Sequence, residues 1–174
     1  MKSSAILLMA GSGTRTHLTY NKTLYEINNV PLFMYSLNKL TQVGFDEYII
    51  VVSNSDYEYV CNYLASTPYH VKIVLGGLTR SESVKNAIKE VSTDVALIHD
   101  AARPLISTRD IDAIIEETII HGAVCPVSKA NERLLARASI CASVSLSSVA
   151  TPQRKLPPVS LLASITVRKL CSSE

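Results

Sequence analysis

The 174-residue sequence has no excess of one charge, no paired cysteines, no long apolar run and neither common nucleotide-loop signature. Seventeen Lys and Arg stand against 15 Asp and Glu, a formal charge of +2. That is too little for general attraction to nucleic acid or an anionic membrane, although a small anionic ligand needs only a local cluster. Cys61, Cys125, Cys141 and Cys171 lack metal-ligand spacing. This argues against a zinc site or disulfide scaffold, and reduced, mostly buried thiols are expected. No apolar run approaches the roughly 18 residues of a membrane span, and Met1-Lys2-Ser3-Ser4 leads straight into a core strand instead of a cleavable signal. A cytoplasmic location is the expectation. The sequence shows no internal repeat, and 47% hydrophobic with 18% charged residues suits one globular domain.

What is present is an alternation. Residues 4–10, 47–53, 71–75, 95–99 and 123–127 have the apolar density of buried strands. Between them, residues 31–43, 57–65, 81–91 and 108–121 carry helical periodicity. Asn54 or Ser55 is expected to cap the second helix and Thr108 the fourth, with Gly122 just past its end. Strands that are continuously apolar and separated by helices predict an α/β fold, a doubly wound and mostly parallel sheet. Residues 1–127 form that domain, and the pattern weakens over 128–174, which is expected to be an arm or a poorly ordered tail.

Ligands in such sheets sit beyond the carboxyl ends of the strands, and the polar signals fall there. Ala10-Gly11-Ser12-Gly13-Thr14-Arg15 follows the first strand. Its glycines allow close approach of backbone N–H groups to phosphate, while Arg15 and then Lys22 supply charge. There is no Gly-Lys-Ser/Thr ending and no third glycine of a dinucleotide loop, so by itself the segment is equally a tight turn. Gly76-Gly77 follows the third strand and His99-Asp100 the fourth. Asp100 can accept from sugar hydroxyls or help hold Mg²⁺ through water, and Arg103, fixed by Pro104, can reach a second anion. In isolation Asp100 is as well explained as a helix cap paired with Arg103, and Lys22 as a solvated lysine.

Together the segments are more specific. The glycine loop, Lys22, Gly76-Gly77-Leu78-Thr79-Arg80-Ser81-Glu82-Ser83-Val84, His99-Asp100-Ala101-Ala102-Arg103-Pro104 and Thr151-Pro152-Gln153 stand in the order and approximate spacing of one family. The sequence resembles the 2-C-methyl-D-erythritol 4-phosphate cytidylyltransferases, over residues 4–127 and more faintly at 151–153. Ribitol-5-phosphate cytidylyltransferases share much of the scaffold. The resemblance implies a Rossmann-like nucleotidyltransferase that moves CMP from CTP to a polyol phosphate and releases pyrophosphate, with Mg²⁺ carried mainly on the CTP phosphates. It assigns Arg15 and Lys22 to catalysis, and Ala10, Gly11, Ser12 and Gly13 to the triphosphate. Gly76, Gly77 and Ser83 would border the cytosine, Asp100 and Ala101 would meet the ribose, and Arg103 the acceptor. Arg80 is expected to be structural, and His99 a satisfied polar group, because an attacking phosphate is already an anion. A homodimer is a further implication; nucleic acid and membrane are not.

The departures are local. Asn21-Lys22-Thr23-Leu24 stands where the family usually has Pro-Lys-Gln-Tyr, which predicts a less restrained loop around the lysine. The family's Asp-Thr pair is not evident in Ser128-Lys129-Ala130-Asn131, and no arginine occurs within 143–148, ahead of Thr151. The family's Thr-Asp-Glu segment and late lysine are unmatched before Glu174. A truncated or diverged member is therefore expected to bind CTP·Mg²⁺ with slow or no turnover. The alternative to an active enzyme is an impaired CTP-binding relative or partner subunit.

Overall fold

The computed structural model describes residues 1–11, 21–126 and the backbone of 165–168. The chain divides into two compact units, residues 1–126 with 163–174, and residues 127–162. Every described residue belongs to the first unit. Ser12, Gly13, Arg15, Thr151, Pro152, Gln153 and the bulk of the expected arm lie outside the described residues.

The first unit is a six-stranded sheet flanked by helices. Its elements are β1 (Ser3–Leu8), a short 3-10 helix (Lys22–Leu24), β2 (Glu26–Ile27), β3 (Val30–Pro31), α1 (Leu32–Val43), β4 (Glu47–Val52), α2 (Tyr57–Ala65) and β5 (Lys72–Leu75). They continue with α3 (Arg80–Lys89), β6 (Val95–Asp100), α4 (Thr108–His121), β7 (Ala123–Val124) and β8 (Ile165–Arg168). The sheet order is β5-β4-β1-β6-β8-β7. β5, β4, β1 and β6 are mutually parallel, whereas β8 runs antiparallel to both β6 and β7. The α/β class and mostly parallel sheet are as the sequence predicts. The expected strand 123–127 is shorter, ending at Val124, and β8 is a strand that sequence periodicity did not reveal.

β1 lies between two parallel neighbours and is buried from Ser4 to Leu8. Because side chains alternate across a strand, Ile6 and Leu8 share one face with Ile49, Val51, Ala96 and Ile98. Ala87 and Val91 close over that face from α3 and the residues after it. The opposite face, with Leu7, Ile50 and Leu97, falls to α1 and α4. α1 buries Phe33, Met34, Ser36, Leu37 and Leu40, one face at helical spacing, and leaves Leu32 and Tyr35 half-buried. Gly44 ends it at φ 85°, where a side chain would be strained. Phe33 meets Tyr63 of α2 edge to face, with centroids 5.8 Å apart.

Three local features differ from the sequence expectation. The residue preceding α2 is Asp56, not Asn54 or Ser55, and its side chain makes no capping bond. α4 is capped by Ser107, whose Oγ accepts from the Asp110 N–H at 3.1 Å, and not by Thr108. Residues 26–31 form a hairpin whose turn, Asn28-Asn29, has φ 52° and 62°. Two positive φ values define the hairpin turn that matches strand twist, and asparagine tolerates them. Of the cysteines, Cys61 is half-buried and Cys125 is exposed, so the second is not the buried thiol expected.

The core assignment has a direct check in urea denaturation. Ile6→Ala, at a wholly buried position, is expected to cost about 2–5 kcal/mol. Ile120→Ala, at a side chain 71% exposed, should stay within about 0.5 kcal/mol. Equal effects would contradict the placement of β1 at the centre.

Candidate nucleotide site

Four parallel strands end at nearly one level because register fixes them. Leu8 aligns with both Val51 and Asp100, and Val52 with Leu75. Hydrogen bonding continues one residue past these ends. The Met9 N–H donates to the Val51 carbonyl at 2.9 Å, Gly76 to Val52 at 2.8 Å, and Ala101 to Leu8 at 2.9 Å. The segments beginning at Met9, Gly76 and Ala101 therefore leave the sheet side by side. The chain runs from β1 out to β4 and β5, then crosses to β6 on the other side of β1. A crevice at such a reversal is where ligands bind in open α/β sheets.

Contact between two of these segments is close. A Cβ built on Gly76 would collide with the Ala10 Cβ and come within 2.9 Å of Ser83 Oγ, and one built on Gly77 would collide with Glu82. Glycine at 76 and 77 is thus required by packing. At Gly11 a Cβ would meet nothing within 4 Å among the described residues. Ser83 is buried, donates to the Thr79 carbonyl at 3.0 Å and accepts from the Gly77 N–H at 3.1 Å. It fastens the Gly76-Gly77 turn to α3. Thr79 and Glu82 complete a capping box there, and Asn86 donates to the Leu75 carbonyl at 3.1 Å.

Asp100, at the end of β6, is gripped by two guanidinium groups. Arg80 Nη2 lies 3.0 Å from Oδ1 and Arg103 Nε 3.1 Å from Oδ2. Arg80 opens α3, so this ion pair ties the segment after β5 to the segment after β6. The structural role expected of Arg80 takes the form of this pair, whose partner, Asp100, no local sequence pattern indicates. Being partly exposed, these pairs contribute modestly to stability and mainly fix geometry. A carboxylate has about four lone-pair directions, so two guanidinium bonds leave capacity for sugar hydroxyls. Ala101 is fully buried; its carbonyl accepts from Ser36 Oγ on α1 at 2.8 Å. No local sequence signal marks Ser36, which sits on the buried stripe of its helix.

His99 is completely buried, and its Nε2 lies 2.9 Å from the Arg103 carbonyl. A carbonyl only accepts, so the neutral ring carries its proton on Nε2. Burial lowers its pKa below the ordinary value, more strongly than the bond to the Arg103 carbonyl and the charge of Asp100 raise it. With the Arg103 N–H bonded to the Asp100 carbonyl at 3.0 Å, the ring holds the 100–103 turn. Lys22 is exposed at the start of the 3-10 helix and forms no ion pair among the described residues.

The structure thus brings together Ala10, Gly11, Gly76, Gly77, Ser83, Asp100, Ala101 and Arg103, with Arg80 added. Arg15, Ser12 and Gly13 are outside the described residues. Among those described, no group of three His, Cys, Asp or Glu side chains can cage a metal. Asp100 is the carboxylate at the described end of the sheet, and both its oxygens already bond guanidinium groups.

A mostly parallel α/β sheet that reverses its strand order at β1/β6, with glycine turns at the strand ends, has the fold class of the nucleotidyltransferases. The family model described as IspD, 2-C-methyl-D-erythritol 4-phosphate cytidylyltransferase, matches residues 4–165, and the chain belongs to that family. It is 38% identical over 129 residues to the enzyme of that name from Clostridium botulinum, covering 70% of this chain and 56% of the relative. To the bifunctional enzyme IspD/IspF of Campylobacter concisus it is 35% identical over 126 residues, 72% of this chain and 32% of the relative. Among solved structures, 4-diphosphocytidyl-2C-methyl-D-erythritol synthase from Anaerococcus prevotii superposes with TM-score 0.64 at 25% identity, over 75% of this chain and 56% of that one. The chain spans about half the length of the Clostridium relative and a third of the bifunctional one. No described helix is long and apolar enough to cross a membrane.

His99 generates a pH prediction. In the unfolded chain it takes up a proton near its ordinary value of 6.5, in the folded chain only at lower pH. Between the two the unfolded state binds more protons, so this stability contribution falls as pH drops below about 6.5 and levels off beneath the folded value. His99→Gln, which does not titrate, should lose that component when urea midpoints are compared from pH 7.5 to 5. Parallel curves for the two proteins would show that His99 is not held neutral.

Proposed function

We propose that this chain supplies the nucleotide site of a 2-C-methyl-D-erythritol 4-phosphate cytidylyltransferase, transferring CMP from CTP to the acceptor phosphate. The observation that carries the reading is that the described parts of three motif segments meet at the carboxyl end of the sheet, with Ala10 against Gly76 and Asp100 bridged to α3 by Arg80. CTP arrives with a divalent cation, Mg²⁺ in this reading, which neutralises triphosphate charge as part of the substrate.

In the reaction an oxygen of the acceptor phosphate forms a bond to the α-phosphorus of CTP as the α–β bridging bond breaks and pyrophosphate departs. The nucleophile is already an anion, so no general base is required, in keeping with a neutral His99 committed to the backbone. What the protein contributes is placement and positive charge around the five-coordinate phosphorus. Backbone N–H groups of residues 10–13 would cradle the triphosphate, with Arg15 and Lys22 at the reacting phosphorus. A cytosine pocket edged by the Gly76-Gly77 backbone and Ser83 would select a pyrimidine over a purine by size. Asp100 and Ala101 would meet the ribose and Arg103 the acceptor. A homodimer and a cytoplasmic setting belong to the same reading.

A specific observation favours a slow enzyme. Arg103, the acceptor contact, already pairs with Asp100, and residues 143–148 offer no second arginine. An acceptor phosphate with few charge partners is poorly placed for in-line attack.

Calorimetry should show CTP·Mg²⁺ binding in preference to ATP; equal affinities would remove the cytidine assignment. On the same preparation, pyrophosphate release with 2-C-methyl-D-erythritol 4-phosphate is expected below about 1 s⁻¹, the low end of ordinary enzyme rates, and lower still with ribitol 5-phosphate. Faster turnover would overturn the slow reading, and preference for ribitol 5-phosphate would change the acceptor. Lys22→Ala should lower kcat by about 10²–10³-fold, the worth of one preorganised donor, with a much smaller change in CTP affinity. An unchanged kcat would return Lys22 to the solvated surface.

A further inference from the structure

Asn21 immediately precedes Lys22 and is buried, 8% exposed. Its side chain is fully employed. Nδ2 donates to the Met9 carbonyl at 2.6 Å and to Asp56 Oδ2 at 2.9 Å. Oδ1 accepts from the Thr23 N–H at 3.1 Å and from Thr23 Oγ1 at 2.8 Å. An amide has two donor hydrogens and two acceptor lone pairs, and all four are satisfied here. A buried polar group in that state has one permitted orientation, since any rotation strands several partners at once.

The partners belong to three separate places in the fold. Met9 ends the β1 run and leads into the glycine loop, Asp56 stands at the start of α2, and Thr23 follows Lys22 in the 3-10 turn. Asp56 adds an independent indication. Aspartate at a helix start ordinarily bonds its own helix; this one makes no such bond and turns Oδ2 to Asn21 instead. The helix forgoes a cap of ordinary value while the turn bearing Lys22 gains an anchor.

We propose that Asn21 is a positioning residue for Lys22: its amide pins the base of the lysine to Met9 at the end of β1, so that the ammonium is kept at the carboxyl end of that strand. This rests on the reading of Lys22 as the charge at the reacting phosphorus. Lysine is a point charge on a flexible four-carbon stem, and an anchored Cα reduces the volume that charge sweeps. Where the resemblance leads one to expect proline, restraint is supplied by hydrogen bonds. Asn21 already has φ −68°, within the range a proline ring enforces. The less restrained loop expected from the sequence is therefore replaced by a differently restrained one.

The test uses the full chain with lysines carrying ¹³C-methyl groups, the Lys22 signal being assigned by its loss in Lys22→Arg. CTP·Mg²⁺ should shift that signal in the wild type. In Asn21→Ala the shift should largely vanish and kcat fall by about 10²-fold, the effect of a small misplacement of a reacting group, while CTP affinity changes far less. Asn21→Pro, which restores φ without the amide, should recover at least about ten-fold of the lost rate. Asp56→Ala removes one bond of the four and should give a smaller loss; it keeps the test decisive if Asn21→Ala fails to fold. A full Lys22 response in Asn21→Ala, or in Asp56→Ala when the first variant is unfolded, would overturn the role of Asn21 alone. So would an Asn21→Pro variant that is folded and no better than Asn21→Ala. A wild-type chain that binds no CTP would instead remove the nucleotidyl-transfer reading itself.

Discussion

The structure depends above all on the two-sided parallel pairing of β1. A strand with a hydrogen-bonded neighbour on each edge, and helices over each face, has no freedom to slide, because a one-residue slip would turn its whole apolar set to the wrong side. Ile6 is matched to Ile49 and to Ile98, and Leu8 to Val51 and to Asp100. That register puts Asp100 level with the last residue of β1 and sends the segments after β1, β5 and β6 out together. Once the pairing is set, Ala10 abuts Gly76 and Arg80 lies within reach of Asp100.

At that end of the sheet, buried polar side chains hold backbone that the ladders no longer satisfy. Asn21 holds the Met9 carbonyl, Ser36 the Ala101 carbonyl, Ser83 the Gly77 N–H and His99 the Arg103 carbonyl. A peptide group taken from water without a partner costs more than an ordinary hydrogen bond returns, so each of these side chains is needed where it stands. At the other end Ser4 bonds Glu47 and Thr93, and Glu47 also accepts from Ser92. There the polar network joins strand starts to one another.

Much of this was readable beforehand where the signal was long and periodic. The four helices and four parallel strands fall within a few residues of their expected ranges, because an amphipathic stripe such as Phe33, Leu37 and Leu40, or a run such as Tyr48 to Val52, encodes its own burial. Short-range signals were less reliable. Asp56 precedes α2 because Ser53 and Asn21 draw the local chain into another arrangement, and Ser107 outcompetes Thr108 by standing one residue earlier. The Asn28-Asn29 hairpin escaped notice because its strands are two residues each. β8 pairs with β6 across more than sixty residues of sequence, from Ile165 to Ile98, and no local pattern specifies that partnership.

By itself, then, the sequence determined the α/β class, the burial of the parallel strands and the presence of glycine-bearing polar segments at strand ends, since these follow from hydrophobic periodicity and from the positions of Gly11, Gly76 and Gly77. Only the tertiary structure decided what each polar residue does. Arg80 became part of the site, Ser83 a fastening for the Gly76-Gly77 turn, His99 a neutral donor to the backbone and Asn21 an anchor beside Lys22. The reason is physical: a hydrogen bond or ion pair depends on distances of about 3 Å between groups that here lie as far apart in sequence as Ser36 and Ala101, and such distances exist only after strand register has been fixed.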